Sequence, residues 1–133
     1  MAEFTKDLET GNALIDQEHR ELIDAINKLL DACRKGQGRS EVVKTAQFMQ
    51  SYTAKHFADE ERLQAQSRYP DYVRHRGYHA AFKKTVAELV QKLDTQGASV
   101  ALVGELNTAL AGWLINHIKM EDKKLAAYLR SKQ

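Results

Sequence analysis

At 133 residues the chain has the length of one domain around one core, and 43% hydrophobic residues is ordinary for a globular protein. Twenty Lys+Arg against 18 Asp+Glu leave a formal charge of +2, which argues against a broad nucleic-acid footprint. Met1–Gly11 carries Glu3, Lys6, Asp7 and Glu9 and no apolar run, so it is not a secretory signal, and no stretch approaches the ~20 apolar residues of a membrane span.

With one proline, seven glycines, no internal repeat and no low-complexity tract, little interrupts long helices. Four segments show helical periodicity. The first, about 16–36, carries Ile15, Leu22, Ile23, Ile26, Leu29, Leu30 and Cys33 on one stripe, with Asp16 as its expected N-cap and Gly36 and Gly38 as its stop. The second, about 40–67, starts at Ser40 and places Val42, Ala46, Met49, Thr53, His56, Glu60 and Leu63 at alternating four- and three-residue steps. The third, about 71–95, follows Pro70 and carries Tyr72, His75, His79, Phe82, Val86, Leu89 and Leu93, with Gly97 closing it. The fourth, about 99–129, carries Val103, Leu106, Leu110, Trp113 and His117. Short connections favour antiparallel neighbours, so the expected fold is all-α, an up-down-up-down four-helix bundle forming a single domain over 1–133. The lone Cys33 cannot form an internal disulfide, reads as a small core residue, and suits a reducing, cytoplasmic setting.

Polar residues stand on these stripes where leucine belongs. His19 lies on the first, His56 and Glu60 on the second, His75 and His79 on the third, and His117 on the fourth. An unpartnered buried polar side chain costs a few kcal/mol and a bare carboxylate more, so six of them would unfold a domain with a net stability of ~5–15 kcal/mol. Something must compensate. The pairs His56–Glu60 and His75–His79 are each four residues apart, so each returns to one helix face and can point at one centre. A metal site accounts for all five histidines of the chain. Seven protein ligands exceed what one zinc takes and suit two ions bridged by carboxylates; such dinuclear sites in bundles are mostly iron or manganese, and the nitrogen-rich set favours iron.

The seventh ligand comes from the fourth helix. A regular helix favours Glu121, four residues after His117. The later apolar residues, Leu125 and Leu129, instead share a face with Asp122. A one-residue π-bulge between His117 and Asp122 would produce that slip, and such bulges favour functional sites. Asp122 is therefore the expected ligand. Each histidine's outer ring nitrogen is expected to donate to a carboxylate or carbonyl; Glu18, Glu61 and Glu121 lie nearby in sequence, though each singly reads as a solvated helix charge, and no spare His, Cys or carboxylate stands on the core faces near the site to act as a general acid.

Several runs recur in one order: Ile15-Asp16-Gln17-Glu18-His19-Arg20-Glu21-Leu22; His56-Phe57 ahead of Glu60-Glu61; Tyr69-Pro70; His75 and His79; and Trp113-Leu114 ahead of His117-Ile118 and Asp122. Over nearly its whole length the chain resembles the hemerythrin family in its bacterial single-domain form. The resemblance implies an oxo- or hydroxo-bridged di-iron centre, one iron on His75, His79 and His117, the other on His19 and His56 with an open position for dioxygen, and Glu60 and Asp122 as bridges. It also implies an apolar oxygen pocket at Leu22, Phe57, Trp113, Leu114 and Ile118. Gln64 departs from the methionine many members carry, and the stretch from His79 to His117 is longer than in the animal carriers.

The implied function is reversible dioxygen binding for carriage, storage or scavenging, without enzymatic turnover, by a cytoplasmic monomer that serves an oxygen-consuming enzyme. Five neutral imidazoles with two carboxylates disfavour high-valent oxidation and so favour binding over activation. A sensor module and a di-iron enzyme acting on peroxide or nitric oxide are the rivals; the chain has no room for an output domain.

Overall fold

The computed structural model describes residues 3–132; Met1, Ala2 and Gln133, the ends of the expected 1–133 unit, lie outside the described residues. Helix α1 spans Ala13–Arg34 and starts three residues earlier than the periodicity suggests. Its cap is Asn12, whose side chain accepts the Ile15 N–H at 3.0 Å. Asp16, the expected cap, is instead buried inside the first turn. Its carboxylate accepts from the Thr10 N–H at 2.9 Å, the Thr10 hydroxyl at 2.7 Å and the Gly11 N–H at 3.2 Å, which ties the incoming segment to the helix. Cap choice turned on which residue had nearby donors outside the helix, and periodicity does not register that. Removing a buried charged acceptor strands its donors. Asp16→Ala is therefore expected to lower stability by about 2–3 kcal/mol in urea denaturation, and an unchanged midpoint would contradict the role.

Helix α2 spans Arg39–Ser67, with Gly38 rather than Ser40 as the flanking residue. It ends on Arg68 in the left-handed region (φ 58), and the turn is closed by Tyr69 N–H to the Gln64 carbonyl at 2.9 Å. Tyr128 supports this turn by donating its hydroxyl to the Ser67 carbonyl at 2.7 Å. Helix α3 spans Tyr72–Gln96 and is closed by Gly97, whose φ of 73 suits glycine.

The fourth helical run, α4, is capped by Ser99, which accepts from the Leu102 N–H at 3.1 Å. It continues through Val100–Leu106, Asn107–Gly112, Trp113–His117, Ile118–Asp122 and Lys123–Ser131. The segments Asn107–Gly112 and Ile118–Asp122 are π-helical. The second is the wider turn expected between His117 and Asp122; the first left no mark in the apolar pattern.

Three short connections join antiparallel neighbours, and α1 packs on α2, α2 on α3, and α1 on α4, giving the up-down-up-down bundle. Most positions of the expected stripes are buried, Tyr72 and Trp113 are half-buried, and two positions are exchanged for a neighbour. Gln64, not Leu63, takes the inward position after Glu60, and Leu102 rather than Val103 faces in. The core falls into two apolar clusters. A large one runs from Leu22 and Phe57 through Leu29, Met49 and Leu93 to Leu106; a small one comprises Ile15, Tyr69 and Leu125. The polar residues of the stripes lie between them. Among the described residues, no helix is long and apolar enough to cross a membrane.

Candidate metal centre

All five histidines reach the bundle axis, and with Glu60 and Asp122 they are buried. Helix α1 supplies His19, α2 supplies His56 and Glu60, α3 supplies His75 and His79, and α4 supplies His117 and Asp122. The π-turn of α4 turns Asp122 onto the axis. Glu121, which is buried rather than solvated as expected, is turned away from the axis and bound by Arg74 at 3.2 Å.

Every imidazole presents its Nε2 to the carboxylates. Glu60 divides its oxygens: Oε1 faces His75 and His79 at 3.5 and 3.2 Å, and Oε2 faces His19 and His56 at 3.4 and 3.2 Å. Asp122 does the same, with Oδ1 at 2.9 Å from His75 and 3.2 Å from His117, and Oδ2 at 2.9 Å from His19. The donor atoms thus form two groups sharing both carboxylates, one with His75, His79 and His117, the other with His19 and His56.

Despite these short approaches, the Nε2 atoms of His19, His56 and His79 and all four carboxylate oxygens lack a hydrogen-bond partner. The atoms come close without being aimed at one another. That is how ligands of a common ion behave, since two donors about 2.1 Å from one ion and about 90° apart lie roughly 3 Å from each other. Seven side chains, offering five imidazole nitrogens and four carboxylate oxygens in two groups, fit a transition-metal site.

Outer contacts fix several rings. Glu18 is buried and its carboxylate lies 3.0 Å from His56 Nδ1, while Glu61 lies 3.0 Å from His79 Nδ1. Both correct the expectation of solvated charges, and Glu18 is a buried carboxylate at the site where none was expected. The signal for Glu18 was its place three residues after Ile15 and four before Leu22, on the inner edge of the stripe. Glu61 carried no comparable mark. Phe57 stacks on His79 at 3.7 Å and Trp113 on His117 at 4.5 Å, which locks those planes further. Such outer carboxylates usually contribute 10–100-fold to metal affinity. Glu18→Ala should therefore weaken binding of one ion by about 10–100-fold and spare the other, as read by a two-site metal titration. Equal weakening of both sites would contradict the assignment of Glu18 to His56.

Without metal, the cluster holds protons. Burial pulls His56 down, but the Glu60 charge and the Glu18 contact outweigh it and leave its pKa at about 10. Burial likewise opposes charging of His75, and the adjoining Asp122 and Glu60 carboxylates carry it up to about 9; His19 is raised by the same two carboxylates. Burial pushes the Glu60 and Asp122 carboxyls up, and the surrounding imidazoles overcome it and hold both below the ordinary range.

Of the apolar residues expected around an oxygen pocket, Leu22, Phe57, Leu114 and Ile118 are buried in the large cluster next to the histidines. Trp113 is half-buried and, with His117, Tyr78, Asn116 and Met120, lines a surface depression of about 250 Å³.

The family model for the hemerythrin HHE cation-binding domain matches residues 10–129. A bacteriohemerythrin of Stenotrophomonas maltophilia is 34% identical over 125 residues, covering 94% of this chain and 79% of that one. A bacteriohemerythrin of Pseudomonas aeruginosa is 33% identical over 116 residues (87% and 73%), and a myohemerythrin of Sipunculus nudus is 29% identical over 111 (84% and 79%). A crystal structure of wild-type hemerythrin superposes with a TM-score of 0.83 at 27% identity, covering 97% of each chain. Two donor groups sharing two carboxylates, a bundle that superposes on a hemerythrin, and a family match across the helices place this chain in the hemerythrin family.

Proposed function

We propose that the chain binds dioxygen reversibly at a pair of iron ions, with His75, His79 and His117 holding one ion, His19 and His56 the other, and Glu60 and Asp122 bridging them. The observation that carries this reading is the division of both carboxylates between a three-histidine and a two-histidine group. Unequal histidine counts leave one ion with fewer protein donors, and an open position is where a small ligand enters. When bound, iron(II) supplies the redox chemistry that dioxygen binding needs.

The chain's own residues set the conditions. Glu18 and Glu61 orient two of the imidazoles and fix which nitrogen faces the centre. Leu22, Leu114 and Ile118, all fully buried, keep water from the side of the centre that faces the large core. A dry wall limits proton delivery and so favours release of dioxygen unchanged over its further reduction. Glu18, a buried carboxylate beside the site, is engaged by His56 at 3.0 Å and by Lys55 at 2.8 Å. Hemerythrin homologues are oxygen-binding proteins rather than enzymes, in keeping with this arrangement. The free, buried Cys33 supports a reducing, cytoplasmic setting.

Repeated cycles of oxygenation and argon flushing test the reading. The visible absorption of the iron-loaded protein should appear and bleach over several cycles; permanent conversion in the first cycle would refute reversible binding.

A further inference from the structure

Among the described residues, three buried polar groups remain unexplained once the ligand atoms are assigned. They are Nδ1 of His19, Nδ1 of His75, and the Gln64 carboxamide, whose oxygen and nitrogen both lack a partner. His56 and His79, by contrast, have carboxylates on Nδ1. Gln64 is fully buried, so its amide has no route to bulk water. An unsatisfied buried donor or acceptor costs about 1–3 kcal/mol, which a folded chain rarely leaves uncompensated.

Helix geometry brings the three together. Gln64 follows Glu60 by four residues, one turn further along the same face of α2. Glu60 meets His19 of α1 and His75 of α3. Both partner helices run antiparallel to α2, so their N-terminal ends lie towards Gln64. Side chains on a helix lean towards its N-terminus. Gln64 therefore leans back towards the centre from the end of the bundle where Tyr69 meets the His75 ring edge-on at 6.4 Å. Beyond it, Ile15, Tyr69 and Leu125 close the end of the bundle. Leu22 lies one turn from His19 in the opposite direction, so Gln64 stands on the far side of the centre from the apolar wall.

We propose that Gln64 is a positioning residue of the metal centre, whose carboxamide, through a buried water, takes the outer N–H groups of His19 and His75. No direct hydrogen bond joins these groups, and a bridging water with two to four polar partners is how proteins satisfy such a set. Gln64 then does for one histidine of each ion what Glu18 and Glu61 do for His56 and His79. The proposal rests on the two-ion reading of the centre.

The test is a cobalt(II) titration of the metal-free chain against a competing chelator, for wild type, Gln64→Met and Gln64→Glu. Wild type should take two cobalt ions. Gln64→Met, which fills the space without a polar group, should bind them about 10–100-fold more weakly. Gln64→Glu keeps an acceptor and should stay within about threefold of wild type. Cobalt affinity is the deciding readout for Gln64→Met, since a purely structural role would move the metal-free melting temperature and leave affinity alone. Equal cobalt affinity for Gln64→Met and wild type, or equal weakening in both variants, overturns the proposal alone. Failure of wild type to take two ions overturns the two-ion reading, and the proposal with it. Should either variant fail to fold, a crystal structure of the cobalt-loaded wild type decides: an ordered water between the amide and an imidazole Nδ1 is expected, and a dry contact refutes it.

Discussion

Replacing Glu60 by alanine is expected to abolish stable loading of both metal ions at once. Its two oxygens are divided between the two histidine groups, so a single truncation removes a donor from each. Losing an outer contact already weakens metal binding by 10–100-fold, and losing a shared direct ligand should exceed 100-fold at both sites. Elemental analysis after desalting should find well below one ion per chain. Retention of one full ion would show that Glu60 serves one site and not both. Removing one partner of a buried charge cluster costs about 3–5 kcal/mol, so the fold of the variant is checked by circular dichroism alongside its metal content.

Stripping the metal from the native chain should have the second largest effect. A ligand that binds the folded state alone stabilises it by about 4 kcal/mol at a thousandfold excess over its Kd. For a chain of this size that corresponds to a loss of roughly 10–20 °C in melting temperature. The metal-free protein should also depend on pH in a defined direction. His56 and His75 have pKa values raised from 6.5 to about 10 and about 9, so the folded state holds protons that the unfolded state has lost. Their contribution is complete below about pH 6.5, declines as pH rises, and is gone once pH has passed 9 to 10. The stripped protein should therefore melt at lower temperature at pH 10 than at pH 7. The loaded protein should show much less of this dependence, since ions replace the protons, and loading near neutral pH should release protons into a weakly buffered solution. A stripped protein that gains stability between pH 7 and 10 would contradict the protonated cluster.

Much of this centre was legible in the sequence because its residues break a strong pattern. Histidines and a glutamate on four apolar stripes are costly without a common ligand, so their positions mark the site directly. Asp122 was legible for a subtler reason: Leu125 and Leu129 reveal that the helix has slipped by one residue before them. The π-turn at Asn107–Gly112 has no such trace, because Leu106 and Leu110 keep their spacing through it. Asp16 was misread because a carboxylate at a helix start suits capping in general, and only the fold shows that Thr10 and Gly11 return to it. Glu18 and Glu61 stood among the nearby carboxylates but read as solvated, because a glutamate on a helix usually is and their partners lie on other helices. Gln64 was set aside for a related reason. The stripe admits Leu63 or Gln64 equally well, and hydrophobicity favours the wrong one.

The most direct test of the centre is the iron content of the purified chain, measured against protein concentration after removal of loosely bound metal. Two irons per chain are expected, falling together in the Glu60→Ala variant. One iron per chain, or a single zinc, would contradict a centre shared by both carboxylates.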